Sequence, residues 1–400
     1  MLIRRRNFIQ LGGLATASMM VPKLLKAFEN PLSPLVPAGN KVLVVLQLSG
    51  GNDGLNTVIP IRNDIYYKER PRLAIEKEKA LTVNDEAALH PALTALATLY
   101  QEGNMAILNN VGYPEPNRSH FRSMDIWHTA SESNTIWQTG WLGRYLDSQC
   151  KACDKPTQAL EIDDTLSLAL KGDVEKALAL KDPRRLYGTS QQAYFKQLAA
   201  QHNAEHEKPV SYLYKTMRST ISSAEYIFQQ SKLRTTTASY PSSDLGNSFK
   251  TIASLILSDI NTKVYYVNLG SFDTHVNQQA TQQRLFTEMN HAIDAFVKDM
   301  KANGRFNDVL LTTFSEFGRR VAQNASGGTD HGTANNMFFI SGALQQKGLL
   351  NPMADLSNLV DGDLQYAVDF KEVYATLLDK WLGADADTIL KRKYNRLNFI

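Results

Sequence analysis

Carboxylates, histidines and a serine recur just past the ends of apolar runs in this 400-residue chain, and those side chains suit cation binding and ester chemistry. Val309 to Phe314 is a β-branched and apolar run that stops in a polar loop, which predicts a buried strand with Glu316 just beyond its carboxyl end. The loop continues through Ser326-Gly327-Gly328-Thr329 to Asp330-His331-Gly332. A carboxylate at a strand end and an Asp-His pair offer oxygen and imidazole donors to a zinc-like or manganese-like ion. Acidic residues also occupy solvated loops without any ion, so no single position here establishes a ligand. Three more loops repeat the arrangement. Asp53 lies in Ser49-Gly50-Gly51-Asn52-Asp53-Gly54 after the run Lys41 to Leu48, and Asp273 with His275 follows the run Thr262 to Leu269. Ser119 comes after Met105 to Val111, near the start of a helical segment from Phe121 to His128. There it either accepts a backbone N–H as an N-cap or uses the helix dipole to stabilise an alkoxide and a bound anion.

Strand and helix patterns must bring these loops together. Leu89, Leu93, Leu96 and Tyr100 recur at helical spacing, with His90-Pro91 as the helix start. Ser248 to Asp259 reads as an apolar helix, and Leu285, Met289, Ile293, Phe296 and Met300 line one face of another that stops at Gly304. Met337 to Ile340 is a further candidate strand, and Val368 to Trp381 a closing helix. The alternation of strand, loop and helix predicts a mostly parallel sheet covered by helices on both faces, a three-layer α/β/α sandwich. In such a sheet the strands' carboxyl ends share one edge, so Asp53, Ser119, Asp273, His275, Glu316, Asp330 and His331 can meet there. Three or four carboxylates with two histidines exceed the needs of one zinc and suit a two-metal site, with Ser119 as nucleophile toward a phosphate or sulfate ester. Asn52, Arg118, His120 and Arg122 flank these positions and are the candidates for holding the ester's anionic oxygens. Residues 150 to 240 turn polar and mostly helical and read as an insertion or cap. His202 and His206 within it belong to a solvated surface.

Hydrophobic residues make up 43% and charged residues 21%, values that support a folded core. The formal charge is +3, but residues 1 to 38 carry Arg4, Arg5, Arg6, Lys23 and Lys26 against Glu29, a net of +4 that leaves −1 for the rest. A basic nucleic-acid surface is therefore not expected. The amino terminus reads as an export signal: Arg5-Arg6 precede Phe8-Ile9, and the small apolar run Leu11 to Val21 is too short to span a bilayer. Removal is expected anywhere up to the linker Pro31 to Gly39, or the segment stays as an anchor. Residues 39 to 400 are then one domain in the periplasm or cell envelope. The two cysteines, Cys150 and Cys153, form a small loop disulfide there or remain free thiols.

Taken together, the twin-arginine leader, LSGGNDGLNTVIP (48–60), VGYPEPNRSHFRSMDIW (111–127), TGWLGRYL (139–146), LGSFDTH (269–275) and TFSEFGRRVAQNASGGTDHG (313–332) resemble the domain-of-unknown-function 1501 family of exported bacterial proteins. That family is grouped with the alkaline phosphatase-like superfamily. The resemblance implies the same sandwich, commonly two divalent metals, and hydrolysis or transfer of phosphate, sulfate or phosphonate groups. It also implies the twin-arginine export machinery as a partner and a small anionic ester as substrate. Asp53 resembles the superfamily's first-strand aspartate, Ser119 its nucleophile, and Asp273 and His275 its mid-chain aspartate and histidine. For the late Asp-His pair two registers exist. One puts Asp330-His331 on the pair. The favoured one puts Glu316 there, with Phe317 in place of the histidine and His331 as the downstream ligand, which costs one imidazole and leaves one or two ions to be held. A vestigial scaffold serving as a binding or assembly protein in the envelope is the alternative.

Overall fold

The computed structural model describes residues 41–149, 157–173, 177–200 and 220–400. The leader, both cysteines, His202 and His206 lie outside them. The strands are β1 (Val42–Leu48), β2 (Val58–Pro60), β3 (Leu81–Thr82), β4 (Ala87–Leu89), β5 (Met105–Gly112), β6 (Ala159–Glu161), β7 (Leu178–Ala179), β8 (Val264–Leu269), β9 (Val309–Phe314), β10 (Asn335–Ile340), β11 (Gly348–Leu349), β12 (Leu359–Val360), β13 (Asp363–Leu364) and β14 (Val368–Asp369). The main sheet runs β11-β5-β10-β9-β1-β8-β6-β7, with β14 also on β5. Its pairings are parallel except those of β10, which runs against both β5 and β9. β1 is buried along its whole length because it is central and covered on both sides.

Its side chains alternate between two cores. Val42, Val44, Leu46 and Leu48 pack with helices Thr94–Gln101, Asp244–Leu257 and Gln278–Ala302. Leu43 and Val45 pack on the opposite face with helices His120–Thr129, Trp141–Gln149 and Phe370–Thr376. This is the α/β/α sandwich expected from the alternation. Among the described residues no helix is long and apolar enough to cross a membrane.

Three local expectations need correction. Leu89 closes strand β4 rather than opening a helix, which starts at Thr94. Its apolar spacing is shared by a three-residue strand that pairs with β2 and β3. The segment read as a mostly helical insertion or cap supplies β6 and β7, which extend the parallel sheet beyond β8. Both strands are too short to show periodicity. The closing helix begins at Phe370, after Val368–Asp369 pairs as β14, and Asp369 caps it by accepting the Lys371 N–H.

The helix that carries Ser119 at its start is fixed by Trp127. Its ring stacks on Phe314 at the end of β9 (5.2 Å) and on Phe370 (4.1 Å). One residue before its end, His128 lies buried beside Gln47 (3.3 Å) and the Tyr266 hydroxyl (3.1 Å), and desolvation lowers its pKa from 6.5 to about 4. Between those values the unfolded chain binds a proton that the folded chain does not, so this residue's contribution to stability is full above 6.5 and is lost as the pH falls toward 4. The loss amounts to about 3 kcal/mol. Thermal unfolding of His128→Gln should therefore show a smaller acid-induced loss over that window than the parent chain. Equal losses would place the titration elsewhere.

Candidate metal centre

Because β1, β5, β8 and β9 all run the same way, the loops that follow them share one edge of the sheet. The β1 loop is pressed against the β8 loop: Phe272 N–H donates to the Ser49 carbonyl at 3.1 Å. A Cβ on Gly50 would stand 2.4 Å from the Asp273 nitrogen, and its φ is +115°, so only glycine fits there. Gly328 makes a similar approach, since a Cβ would lie 2.3 Å from the Thr274 carbonyl oxygen. Arg319 locks the loops together from beneath. Its guanidinium donates to the carbonyls of Gly51 (2.7 Å), Thr329 (2.9 Å) and Phe272 (2.9 Å), to that of Gly50, and to Asp273 Oδ1 (2.8 Å).

On this platform three imidazoles and one carboxylate face one another. Each imidazole is held from behind through Nδ1: His120 on Glu316 Oε1 (2.9 Å), His275 on Asp330 Oδ1 (3.1 Å), and His331 on the Arg118 carbonyl (2.8 Å). A carboxylate or carbonyl oxygen accepts, so the proton sits on Nδ1 and the Nε2 lone pairs point forward. Nε2 of His275 and His331 are 3.0 Å apart, and they stand 3.1 and 3.2 Å from Asp273 Oδ1. Nε2 of His120 is buried, makes no hydrogen bond and lies 3.6 Å from Asp273 Oδ2. Donor atoms of His120, Asp273 and His331 fall within 4.8 Å of one another. Lone pairs this close repel unless a cation or proton lies between them. The donor set and the orphaned Nε2 therefore fit a divalent ion, with Glu316 and Asp330 orienting the rings behind it.

Electrostatics agree with that polarity. The hydrogen bond to Glu316 raises the His120 pKa against the opposing cost of burial. Burial alone would raise Asp273, but the hydrogen bond and charge of Arg319, with the imidazoles beside it, outweigh it and hold the carboxyl below its ordinary range. Asp330 is likewise lowered, first by the hydrogen bond from Asn324 and then by His275.

Asp273, His275 and His331 are thus brought together, and Ser119 stands in the chain between Arg118, whose carbonyl holds His331, and His120. Ser119 is exposed and starts the ten-residue helix, but its hydroxyl caps no backbone N–H. Other candidates are placed differently. Asp53 turns inward as the N-cap of Gly54–Thr57, where Oδ1 accepts from Leu55 N and Oδ2 is taken by Arg70 Nη1 (2.5 Å) and by Gln278. Glu316 is 1% exposed and binds Gly50 N–H (2.8 Å) and His120, while Asp330 binds His275, so both stand behind imidazoles. Arg118 pairs with buried Asp363, Arg122 donates to the carbonyls of Glu132, Ser133 and Thr135, and the buried Asn52 amide donates to Thr57. These side chains donate to acceptors in their own surroundings. His120, expected to contact substrate, instead joins the cluster and supplies the third imidazole. Arg319 and Arg70 carried no sequence signal, since an arginine in a loop reads as solvated.

No curated protein sequence matches the chain. Solved structures similar to it include the following three. A protein in the alkaline phosphatase superfamily from Vibrio parahaemolyticus shares 11% identity, covering 98% of this chain and 78% of that one, at a TM-score of 0.41. The phosphonate monoester hydrolase SpPMH from Silicibacter pomeroyi shares 8%, covering 89% and 77%, at 0.41. The PsFucS1 sulfatase from Pseudoalteromonas sp. shares 10%, covering 99% and 75%, at 0.40. A family model described as "Protein of unknown function (DUF1501)" matches residues 85–396, and the chain belongs to that family.

Proposed function

We propose that this chain is an exported, metal-dependent hydrolase or transferase of phosphate or sulfate esters, with Ser119 as its nucleophile. The observation that carries the proposal is the meeting of three anchored imidazoles and the Asp273 carboxylate at a helix amino terminus whose N-cap, Ser119, precedes His120 in the chain and spends its hydroxyl on no cap. Asp273, His120, His275 and His331 would hold the ion, which when bound supplies positive charge against the ester's oxygens and favours the ionised hydroxyl. The Ser119 oxygen attacks phosphorus or sulfur as the ester's alkoxide departs, and water or an acceptor hydroxyl later takes the group from the serine. Ser119 is the N-cap of the ten-residue helix His120–Thr129, whose dipole favours an anion at that end. Export by the twin-arginine route, read from Arg5-Arg6 and the apolar run after them, places the substrate in the periplasm or envelope.

The protein, stripped with a chelator and reloaded with zinc, should cleave nitrophenyl phosphate or nitrophenyl sulfate only in the reloaded form. Equal rates with and without metal, or no cleavage of phosphate, sulfate and phosphonate esters by the reloaded protein, would sink the proposal. Glu316→Gln should weaken zinc binding by about 10–100-fold, because the amide no longer accepts the His120 proton with a full charge. A competition titration with a chromogenic chelator reads this directly, and unchanged affinity would remove Glu316 from its orienting role.

A further inference from the structure

We infer that the centre holds a single ion of zinc type per chain, bound by Nε2 of His120, His275 and His331 and by an oxygen of Asp273, and that no second ion shares it. This rests on the metal dependence proposed above and assigns its ligands and stoichiometry.

The donors decide the kind of ion. Three nitrogens and one carboxylate oxygen suit a zinc-type ion, four-coordinate at rest and able to take an ester oxygen as a fifth ligand, whereas magnesium and calcium take mainly oxygen. Each imidazole presents Nε2 because Nδ1 is already engaged with Glu316, Asp330 or the Arg118 carbonyl. A carboxylate or carbonyl on the far nitrogen is the usual support of a metal-bound histidine. His120 supplies the imidazole that Phe317 cannot. That ring packs instead against His120 (4.9 Å) and His331 (4.7 Å) as an apolar flank.

The neighbouring charges decide the number. A second divalent ion would need further carboxylates turned toward the cluster. The candidate after β1, Asp53, is fully buried against the Arg70 guanidinium at 2.5 Å, so its charge is already neutralised by the protein's own cation. Asp273 also shares Oδ1 with Arg319 at 2.8 Å. With neutral imidazoles, Asp273, Glu316 and Asp330 against Arg319 leave two negative charges around the cluster. One divalent ion balances these. A second would leave two uncompensated positive charges in a partly buried site, at a cost of several kcal/mol.

Zinc titrated into the chelator-stripped full chain, with bound metal counted by elemental analysis after gel filtration, should saturate at one ion per chain. His120→Ala should lower zinc affinity by at least a hundredfold. Cobalt(II) in place of zinc should give the intense visible bands of a four-coordinate ion. Asp53→Asn should still bind one ion, and if that variant does not fold, the parent's stoichiometry decides the same point. Two ions per chain, with one lost in Asp53→Asn, would overturn the single-ion inference and leave the metal-dependent reading standing. One ion with unchanged affinity in His120→Ala would overturn the ligand assignment. No bound zinc at all would remove the metal-dependent reading, and this inference with it.

Discussion

Ser119→Ala should reduce turnover of a phosphate or sulfate ester on the order of a thousandfold or more while leaving the fold and the bound ion in place. A serine at the start of a helix ordinarily resists such a change, because losing an N-cap hydrogen bond costs about 1 kcal/mol. Here the hydroxyl makes no capping bond and the residue is exposed, so the substitution removes little from the folded state. Its neighbours hold position without it: the Arg118 carbonyl keeps His331, and Glu316 keeps His120. Unfolding midpoints and zinc content should match those of the parent. A variant that kept most of its turnover would deny Ser119 the role of nucleophile. A variant that lost metal or stability would show that the hydroxyl serves structure instead.

The second large effect concerns stability. Arg70→Met should destabilise the chain by about 3–5 kcal/mol, because it strands the Asp53 carboxylate in a site where both side chains are wholly buried. Arg70 also donates to Asn56 Oδ1 and to the carbonyls of Val321 and Arg320, so its loss frees the start of the β9 loop. The paired change Asp53→Asn with Arg70→Met should recover part of the loss, since no charge is then left unpaired. Denaturant midpoints of the two variants test this. Equal destabilisation in both would mean that the carbonyl contacts, rather than the ion pair, carry the effect.

Much of the sandwich was legible in the sequence. β1, β5, β8 and β9 are long apolar runs in buried positions, and each ends in a loop rich in glycine or polar residues, so both the parallel sheet and its loaded edge could be read. β6 and β7 could not, because three and two residues show no period and their pairing depends on β8. The positions of Asp273, His275 and His331 followed from strand ends, but which way each carboxylate turns did not. Asp53 and Glu316 have the same local pattern as Asp273. What separates them is the partner that arrives from elsewhere in the chain: Arg70 for Asp53, and Gly50 N–H with His120 for Glu316. His120 was missed as a member of the cluster for the same reason. Its neighbour Ser119 drew attention to the helix start, and nothing in Arg-Ser-His shows that the ring reaches Asp273.

The most direct test is to quench the zinc-loaded protein in acid during turnover of a phosphate or sulfate ester and locate any added group by peptide mass spectrometry. The peptide spanning Ser119 should gain a phosphoryl or sulfuryl group in the parent chain and none in Ser119→Ala. The same group found on another residue, or rapid turnover with no labelled peptide, would contradict a serine nucleophile at this centre.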